Sequence, residues 1–303
     1  MFALKAVRRG AGAGLLLAVA LATVPAHAVA QGAKSAEVVQ VVGTVDGFAA
    51  PSMHLPGPTE FAVSTTNPKG IRLGLVRLKP GQELSAFLVQ LRLALTKHGV
   101  EAAAAGREVE ATAIMLGGAV TEPGRTATFR RTLVSGTYYL IDYLRVTDAV
   151  HALTVAGKAV ARSNEPVAPD PALALADRVA SIAMVETVSG PRYLAPAVVA
   201  GGQSLRVSNR TRQLAEAILI PVKPGTTRQD VQHAFEVIET GNWPPNSPFI
   251  GLPQGVPVLT AGQSELVRLS LPPGLYALTT WMVDLKTGRL QAARGMHTLL
   301  TVR

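Results

Sequence analysis

The chain has 303 residues, a formal net charge of +9 and no cysteine. The lack of cysteine excludes disulfides, thiolate metal sites, cysteine nucleophiles and lipid attachment through an N-terminal cysteine. After residue 30, the only adjacent basic residues are Arg130 and Arg131. Nucleic-acid-binding proteins normally carry a basic stripe with interleaved aromatic residues, so we expect a protein or small-ligand partner and no nucleic acid.

Residues 1–30 have the features of a cleavable signal peptide. Lys5, Arg8 and Arg9 precede an apolar stretch over 11–24, and Ala26-His27-Ala28 then forms a small-x-small cleavage site. The stretch is too short to span a bilayer core of about 30 Å stably, which disfavours the alternative of an uncleaved anchor. We expect an exported protein, periplasmic or extracellular, with no transmembrane anchor after cleavage and a formal charge of +6.

The remaining sequence predicts a tandem duplication. Residues 75–81 align with 219–225 without a gap, 136–140 align with 274–278, and Tyr143 aligns with Trp281. Because the order of matching segments is kept, chance is a poor explanation. Residues 158–175 contain a proline-rich run typical of an extended linker, so the predicted domains cover 35–157 and 176–303.

Most segments of each copy have the short, alternating or apolar pattern of β-strands between Gly, Pro or Asn turns. One helix follows Lys-Pro-Gly in each copy: an apolar face over 84–95 ended by Gly99, and a stripe over 231–238 after the capping pair Thr227 and Asp230. This pattern predicts an all-β sandwich or Greek-key barrel with one inserted helix per copy. The predicted strands are 37–45, 60–64, 71–78, 126–133 and 137–144, then 180–187, 204–207, 215–222, 264–271 and 276–283.

Three segments near the C-terminus, 274–280, 295–296 and 300–302, resemble the C-terminal signature of cupredoxins. The second copy is similar to a bacterial group of exported cupredoxin-like domains, and the first copy less clearly so. The matching segments are 207–209, 223–225, 243–245 and 295–296. The resemblance implies two tandem cupredoxin-like Greek-key β-sandwiches, each with one inserted helix.

The resemblance also fixes where type 1 copper ligands would lie. The thiolate position falls on Asp142 and Thr280, and the first imidazole position falls within 70–72 and 214–216, which contain no histidine. Only Met296 matches a ligand type, and an isolated thioether binds copper poorly. We therefore expect no type 1 copper, and we predict no other cofactor.

Two Met-His pairs leave one metal alternative open. Met53-His54 and Met296-His297 carry ligands that suit Cu(I), so a copper-handling protein or an envelope enzyme with a non-standard site at Met296 and His297 is the competing hypothesis. The favoured interpretation places Met296 in the core and His297 on the surface. Since the sequence contains no hydrolase, metalloprotease or phosphate-loop motif, we expect a non-catalytic protein.

The segment 243–249 is rich in proline and has an aromatic residue at each end. Trp243 and Phe249 could form a stiff apolar partner surface. The favoured alternative is that both rings cover the open end of the sandwich, because large aromatic residues are usually buried. Asp142 is expected to be a solvent-facing or hydrogen-bonded strand residue. The sequence as a whole predicts an exported, non-catalytic binding or structural module.

Overall fold

A computed structural model gives the fold of residues 37–157, here called the first half, and 179–303, the second half. The predicted signal peptide over 1–30 and the predicted linker over 158–175 lie outside these residues. The division into two domains therefore stays a prediction. Within the described residues, no helix combines the length and apolar character that a membrane crossing requires.

The first half is built mainly from strands that alternate buried and exposed side chains. Its elements are β1 (Glu37–Thr44), β2 (Gly47–Ala49), β3 (Met53–His54), β4 (Gly57–Thr65), β5 (Ile71–Leu78), α1 (Leu84–Thr96), α2 (Gly99–Thr112), β6 (Ala113–Thr121), β7 (Thr126–Leu133), β8 (Gly136–Asp142) and β9 (Val150–Val155). The second half follows the same order with a single helix. Its elements are β10 (Ala180–Thr187), β11 (Gly190–Leu194), β12 (Val198–Val199), β13 (Ser204–Arg210), β14 (Ala215–Pro221), α3 (Arg228–Glu239), β15 (Gln254–Leu259), β16 (Ser264–Arg268), β17 (Gly274–Thr279) and β18 (Thr298–Val302).

Both sheets of the sandwich contain strands from both halves. One sheet has eight strands in the order β11-β10-β13-β16-β7-β4-β1-β2, and the other has ten in the order β12-β18-β17-β14-β15-β6-β5-β8-β9-β3. The halves meet at two antiparallel pairs, β7 with β16 and β6 with β15. In each sheet, a strand of the first half lies as far from one edge as its equivalent in the second half lies from the other edge. The boundary between the halves therefore lies at the middle of each sheet.

One large apolar cluster runs between the sheets across this boundary. The rings of Phe61 and Phe129 stack with centroids 4.5 Å apart in the first half, and the same buried cluster continues to Leu278 and Met296 in the second. Each half also closes one turn with a tyrosine: the hydroxyl of Tyr138 hydrogen-bonds Val134, and that of Tyr276 donates to the carbonyl of Pro272. The predicted all-β sandwich architecture is confirmed.

The structure differs from the predicted helix content in the first half. Helix α1 ends at Thr96, and Gly99, which is expected from the sequence to end it, is instead the first residue of a second helix, α2, that is not predicted. Gly99 has φ of 64°, a conformation that glycine adopts without strain. The buried face of α2 consists largely of alanines, whose small side chains give a weak periodic signal. Ala102 and Ala103 of this helix pack against Val283 and Leu285 of the second half.

In the second half, α3 begins as the sequence predicts. The Thr227 hydroxyl accepts the backbone N–H of Asp230, and the Asp230 carboxylate accepts the backbone N–H of Thr227, which completes a capping box. Strands β6 and β15, which join the halves, are not among the predicted strands. β15 is buried at every position, so it lacks the alternation that reveals a half-exposed strand.

Candidate functional site

The two positions that the resemblance assigns to copper ligands are neighbours in the first half. The Asp142 carboxylate accepts the backbone N–H of Arg72 at 3.1 Å and that of Leu144 at 3.2 Å. Asp142 is buried, so it is a hydrogen-bonded strand residue and not a solvent-facing one. Its carboxylate ties the end of β8 to the start of β5.

The corresponding positions are also neighbours in the second half. The buried Glu216 carboxylate accepts the backbone N–H of Trp281 at 2.6 Å and a hydrogen bond from the Thr280 side chain. The Thr280 hydroxyl oxygen in turn accepts the backbone N–H of Met282 at 3.0 Å. Burial raises the pKa of Glu216, and the Trp281 hydrogen bond and the charge of Arg72 oppose that shift. The side chains of Glu216 and Thr280 thus form hydrogen bonds within the protein.

A cavity of about 60 Å³ lies at the boundary between the halves. Arg72 and Tyr143 line it from the first half, and Glu216 and Trp281 line it from the second. Arg72 aligns with Glu216, and Tyr143 aligns with Trp281, when the two copies of the sequence are superposed. The fold therefore brings two equivalent pairs of positions around one cavity. The apolar part of its lining includes Leu95, Val120, Ile218, Pro253 and Pro257.

Two polar atoms of these lining residues are buried without a hydrogen-bond partner: Oη of Tyr143 and Nε1 of Trp281. The tyrosine ring lies directly against Gly74, where an added Cβ would come within 2.1 Å of Oη. Burial, together with the charges of Glu216 and Glu265, raises the pKa of Tyr143, so its hydroxyl stays a donor. A buried unpaired donor is costly, and two at one cavity indicate a place for a hydrogen-bonding guest.

A second buried carboxylate lies near the same boundary. Both oxygens of Glu265 accept the backbone N–H of Gly118, at 3.0 and 3.1 Å. Burial raises the pKa of Glu265 to about 8, against the opposing effect of the Arg131 charge. Arg131 donates to the carbonyl of Leu116, while its Nε atom is buried without a partner. Neither Glu265 nor Arg131 is among the predicted site residues.

The Met-His pairs do not come together. Met53 is exposed and His54 is buried and hydrogen-bonded to Thr59 at 2.8 Å, in the edge strand β3 of the ten-stranded sheet. Met296 is in the core, but His297 is only 5% exposed, so its predicted surface position is wrong. The His297 ring stacks on Phe235 of α3, with centroids 6.5 Å apart. Residue 297 directly precedes β18, which lies near the other end of the ten-stranded sheet from β3. Within residues 37–157 and 179–303, no three His, Cys, Asp or Glu side chains converge as metal ligands.

The aromatic residues of the proline-rich loop differ in burial. Phe249 is half-buried with its ring centroid 5.5 Å from that of Phe235 in α3, whereas Trp243 is 61% exposed. Trp243 is therefore more exposed than the favoured interpretation, in which both rings are covering residues, predicts. A groove of about 400 Å³ lies beside this loop, with Lys223 and His233 in its lining. The role of Trp243 and Phe249 as a partner surface stays a prediction.

No family model matches the chain, and no curated protein matches it. Auracyanin from the photosynthetic bacterium Roseiflexus castenholzii is similar in structure at 17% identity, over 42% of this chain and 98% of its own, with a TM-score of 0.27. A purple cupredoxin from Nitrosopumilus maritimus has 14% identity over 41% of this chain and 99% of its own, with a TM-score of 0.23. Blue copper oxidase from Nitrosomonas europaea has 11% identity over 88% of this chain and 85% of its own, with a TM-score of 0.23. These are proteins of the class that the sequence resembles, and the similarity extends to the fold alone.

Proposed function

We propose that the protein is an exported, non-catalytic binding protein that lacks type 1 copper and holds a small carboxylate in the cavity between its halves. The observation that carries the proposal is the pair of buried, unpartnered donors, Tyr143 Oη and Trp281 Nε1, on residues that line this cavity. Export rests on the N-terminal sequence, and the lack of type 1 copper rests on the residues at the ligand positions.

The polar groups of the cavity favour a ligand that accepts hydrogen bonds. Arg72, Tyr143 and Trp281 supply donors, whereas the Glu216 carboxylate is already engaged by a backbone N–H and by Thr280. A guanidinium group matches a carboxylate because it can donate two parallel hydrogen bonds to it. A donor set of this kind supports a small carboxylate as the guest.

The size and lining of the cavity support the same ligand class. A cavity needs a volume of about 10–15 Å³ to hold one water. This cavity has a volume of about 60 Å³, so it admits a molecule of a few non-hydrogen atoms. Val120 and Ile218 give the lining an apolar part that suits a short alkyl group. Acetate is therefore the simplest probe.

The residues at the ligand positions support the absence of type 1 copper. Asp142, Thr280 and Glu216 offer hard oxygen atoms that internal hydrogen bonds already occupy, and soft sulfur with imidazole is what copper of this type requires. The competing copper-handling function gains less support. Met296 and His297 are buried, and they precede β18, which lies near the opposite edge of the ten-stranded sheet from Met53 and His54 in β3.

Fluorescence can test the cavity because the chain has only two tryptophans. In a Trp243→Phe background, Trp281 is the sole tryptophan, and acetate should change its emission saturably while chloride at equal ionic strength does not. Adding Tyr143→Phe should weaken acetate binding about tenfold, as expected for one lost hydrogen bond. Tyr139→Phe is the matched control, because Tyr139 lies in β8, four residues before Tyr143, and outside the cavity lining. No saturable response, or equal affinity in all three variants, would overturn the proposal.

A further inference from the structure

A second feature, separate from the cavity, is a group of arginines around the segment 294–297. The guanidinium group of Arg192, from β11, lies directly over Gly295: a Cβ added there would be 3.2 Å from its Cζ atom. Gly295 has φ of 91°, a conformation that glycine adopts without strain. Arg294 is the preceding residue and is exposed. Arg192 and Arg294 thus bring two arginines to the same turn.

Helix α3 adds a third arginine to this turn. Gln232 donates to the carbonyl of Ala293 at 2.6 Å, and its Oε1 atom hydrogen-bonds Nε2 of His297 at 2.8 Å. Arg228 lies four residues before Gln232, and residues with this spacing share a helix face. Arg228 therefore lies on the face that α3 presents to the segment. In agreement, the pKa values of Arg192 and His297 are lowered first by desolvation and then by the charge of Arg228.

The positive charge of this group is not balanced by ion pairs. Across residues 37–157 and 179–303, no carboxylate lies within ion-pair distance of Arg192, Arg228 or Arg294. The carboxylates of α3 have other close partners: Asp230 caps the helix, Glu236 accepts from Gln232, and Glu239 pairs with Arg289, with a weaker electrostatic interaction with Arg294. Three like charges are therefore held together by the fold.

The His297 ring gives independent evidence for a ligand, because one of its nitrogen atoms lacks a hydrogen-bond partner. Its Nδ1 atom is buried and has no hydrogen-bond partner, although Nε2 is bonded to Gln232. The residue is almost completely buried, and desolvation together with the charges of Arg228 and Arg192 lowers its pKa to about 4, with Glu236 opposing. An anion at the arginines would relieve this repulsion and provide a partner for the ring.

We infer that Arg192, Arg228 and Arg294 form a binding site for a phosphate group at the start of α3. Guanidinium groups recognise phosphate oxygens through charge-assisted, paired hydrogen bonds. The N-terminus of a helix adds a favourable dipole for an anion. Free phosphate and the headgroup of an anionic phospholipid share this chemistry. The site lies apart from the cavity of the proposed function and does not depend on it.

Calorimetric titration of the mature chain with inorganic phosphate, combined with the NMR signal of the Gly295 amide, tests this site. Phosphate should bind saturably and shift that signal, and Arg192→Gln/Arg294→Gln should weaken binding at least tenfold. Arg210→Gln removes an exposed arginine of β13 outside the group and should bind as the unmodified protein does. No binding, or equal binding by the double variant, would overturn the inference.

Vesicles separate the two sources of phosphate. If a lipid headgroup is the ligand, the protein should sediment with phosphatidylglycerol vesicles but not with phosphatidylcholine vesicles, and free phosphate should compete only weakly. If free phosphate is the ligand, it binds while neither vesicle retains the protein. Tyr143→Phe should leave all these results unchanged. A loss of phosphate binding in Tyr143→Phe would show that the arginines are not a separate site, whereas failure of acetate binding alone affects only the proposed function.

Discussion

Glu265 and Gly118 are joined by a hydrogen bond that crosses from one sheet to the other and from one half of the chain to the other. Glu265 belongs to β16 of the eight-stranded sheet, and Gly118 belongs to β6 of the ten-stranded sheet. The carboxylate reaches the backbone because neighbouring Gly117 has no side chain: a Cβ there would lie 2.4 Å from Oε2. A buried acid is thus part of the junction between the halves.

This acid should make the stability of the protein depend on pH. Because the pKa of Glu265 rises from 4.5 to about 8 on folding, the folded state retains a proton that the unfolded state loses. Its stabilising contribution is complete below about pH 4.5 and is lost as the pH rises towards 8, with a slope of up to about 1.4 kcal/mol per pH unit. Glu265→Gln should remove this part of the slope, measured by urea unfolding between pH 5 and pH 8.

Glu216 also has a raised pKa, so the Glu265→Gln variant should keep a smaller slope of the same sign. Glu60→Gln is the matched control, since Glu60 is a partly exposed carboxylate that pairs with Arg130 on the outside of the sheet. The control should retain the slope of the unmodified protein. A Glu265→Gln variant with an unchanged slope would show that Glu265 is ionised in the folded state.

Gly74 should be intolerant of substitution because the Tyr143 ring occupies the place of its side chain. A Cβ at residue 74 would lie 2.1 Å from Oη and 2.2 Å from Cζ of Tyr143. We expect Gly74→Ala to destabilise the protein by about 1–3 kcal/mol, as overpacking does. Gly201→Ala, whose Cβ would make only ordinary contact at 3.5 Å, should cost much less.

A double-mutant cycle identifies the cause of the Gly74→Ala effect. If the clash with Tyr143 is responsible, the free energy of unfolding lost in Gly74→Ala/Tyr143→Ala should be smaller than the sum of the two single losses by about 1 kcal/mol or more. Chemical denaturation of the four proteins gives this difference. Additive losses would mean that residue 74 is constrained by its backbone and not by the ring.

A strand of this protein is predictable from the sequence where turn residues delimit it and its side chains alternate or form a short apolar run. Strands Ile71–Leu78, Thr126–Leu133 and Ala180–Thr187 have the predicted bounds, since turn residues delimit short apolar or alternating runs. Strands Ala113–Thr121 and Gln254–Leu259 lie at the centre of a sheet. The first is buried at its last five positions and the second at every position, so alternation reveals neither strand clearly. The pairing of β6 with β15 is not predicted for this reason, whereas β7 and β16 are predicted as strands and only their pairing is not.

The candidate site was only partly visible in the sequence for a related reason. In the alignment of the two copies, Arg72 is equivalent to Glu216 and Tyr143 is equivalent to Trp281. Equivalent positions need not be in contact. Their meeting depends on the pairing of β6 with β15. A signal for Glu265 was present, however: it is in phase with the buried Val267 of the same strand, so alternation alone directs its carboxylate inward.

The protein should not acquire stoichiometric copper at Met296 and His297. After copper loading and removal of free metal, elemental analysis should find well under one copper per chain and no visible absorption of a type 1 centre, because oxygen atoms and a guanidinium group replace the required ligands. Met296→Leu keeps the volume of this fully buried side chain, and His297→Gln keeps a hydrogen-bonding group, so both should fold. Stoichiometric copper that is lost in either variant would establish the competing copper-handling function.

Trp243 and Phe235 should respond in opposite ways to truncation. Phe235 is fully buried at the centre of the aromatic group beneath the proline-rich loop, so Phe235→Ala should cost about 3–5 kcal/mol of stability. Trp243 is 61% exposed, and its ring lies beside that of Phe249 at a centroid distance of 6.3 Å. Trp243→Ala should therefore change the free energy of unfolding by less than about 1 kcal/mol.

The stability of Trp243→Ala decides what a change in binding would mean. If Trp243 and Phe249 form a partner surface, Trp243→Ala should weaken capture of a protein partner from envelope extract while the melting temperature stays nearly constant, because an exposed indole contributes area to a complex and little to the core. Ile250→Ala, at an exposed residue beside Phe249, is the matched control for the loop. A large drop in melting temperature with Trp243→Ala would show instead that the indole is a covering residue whose loss opens the group around Phe235.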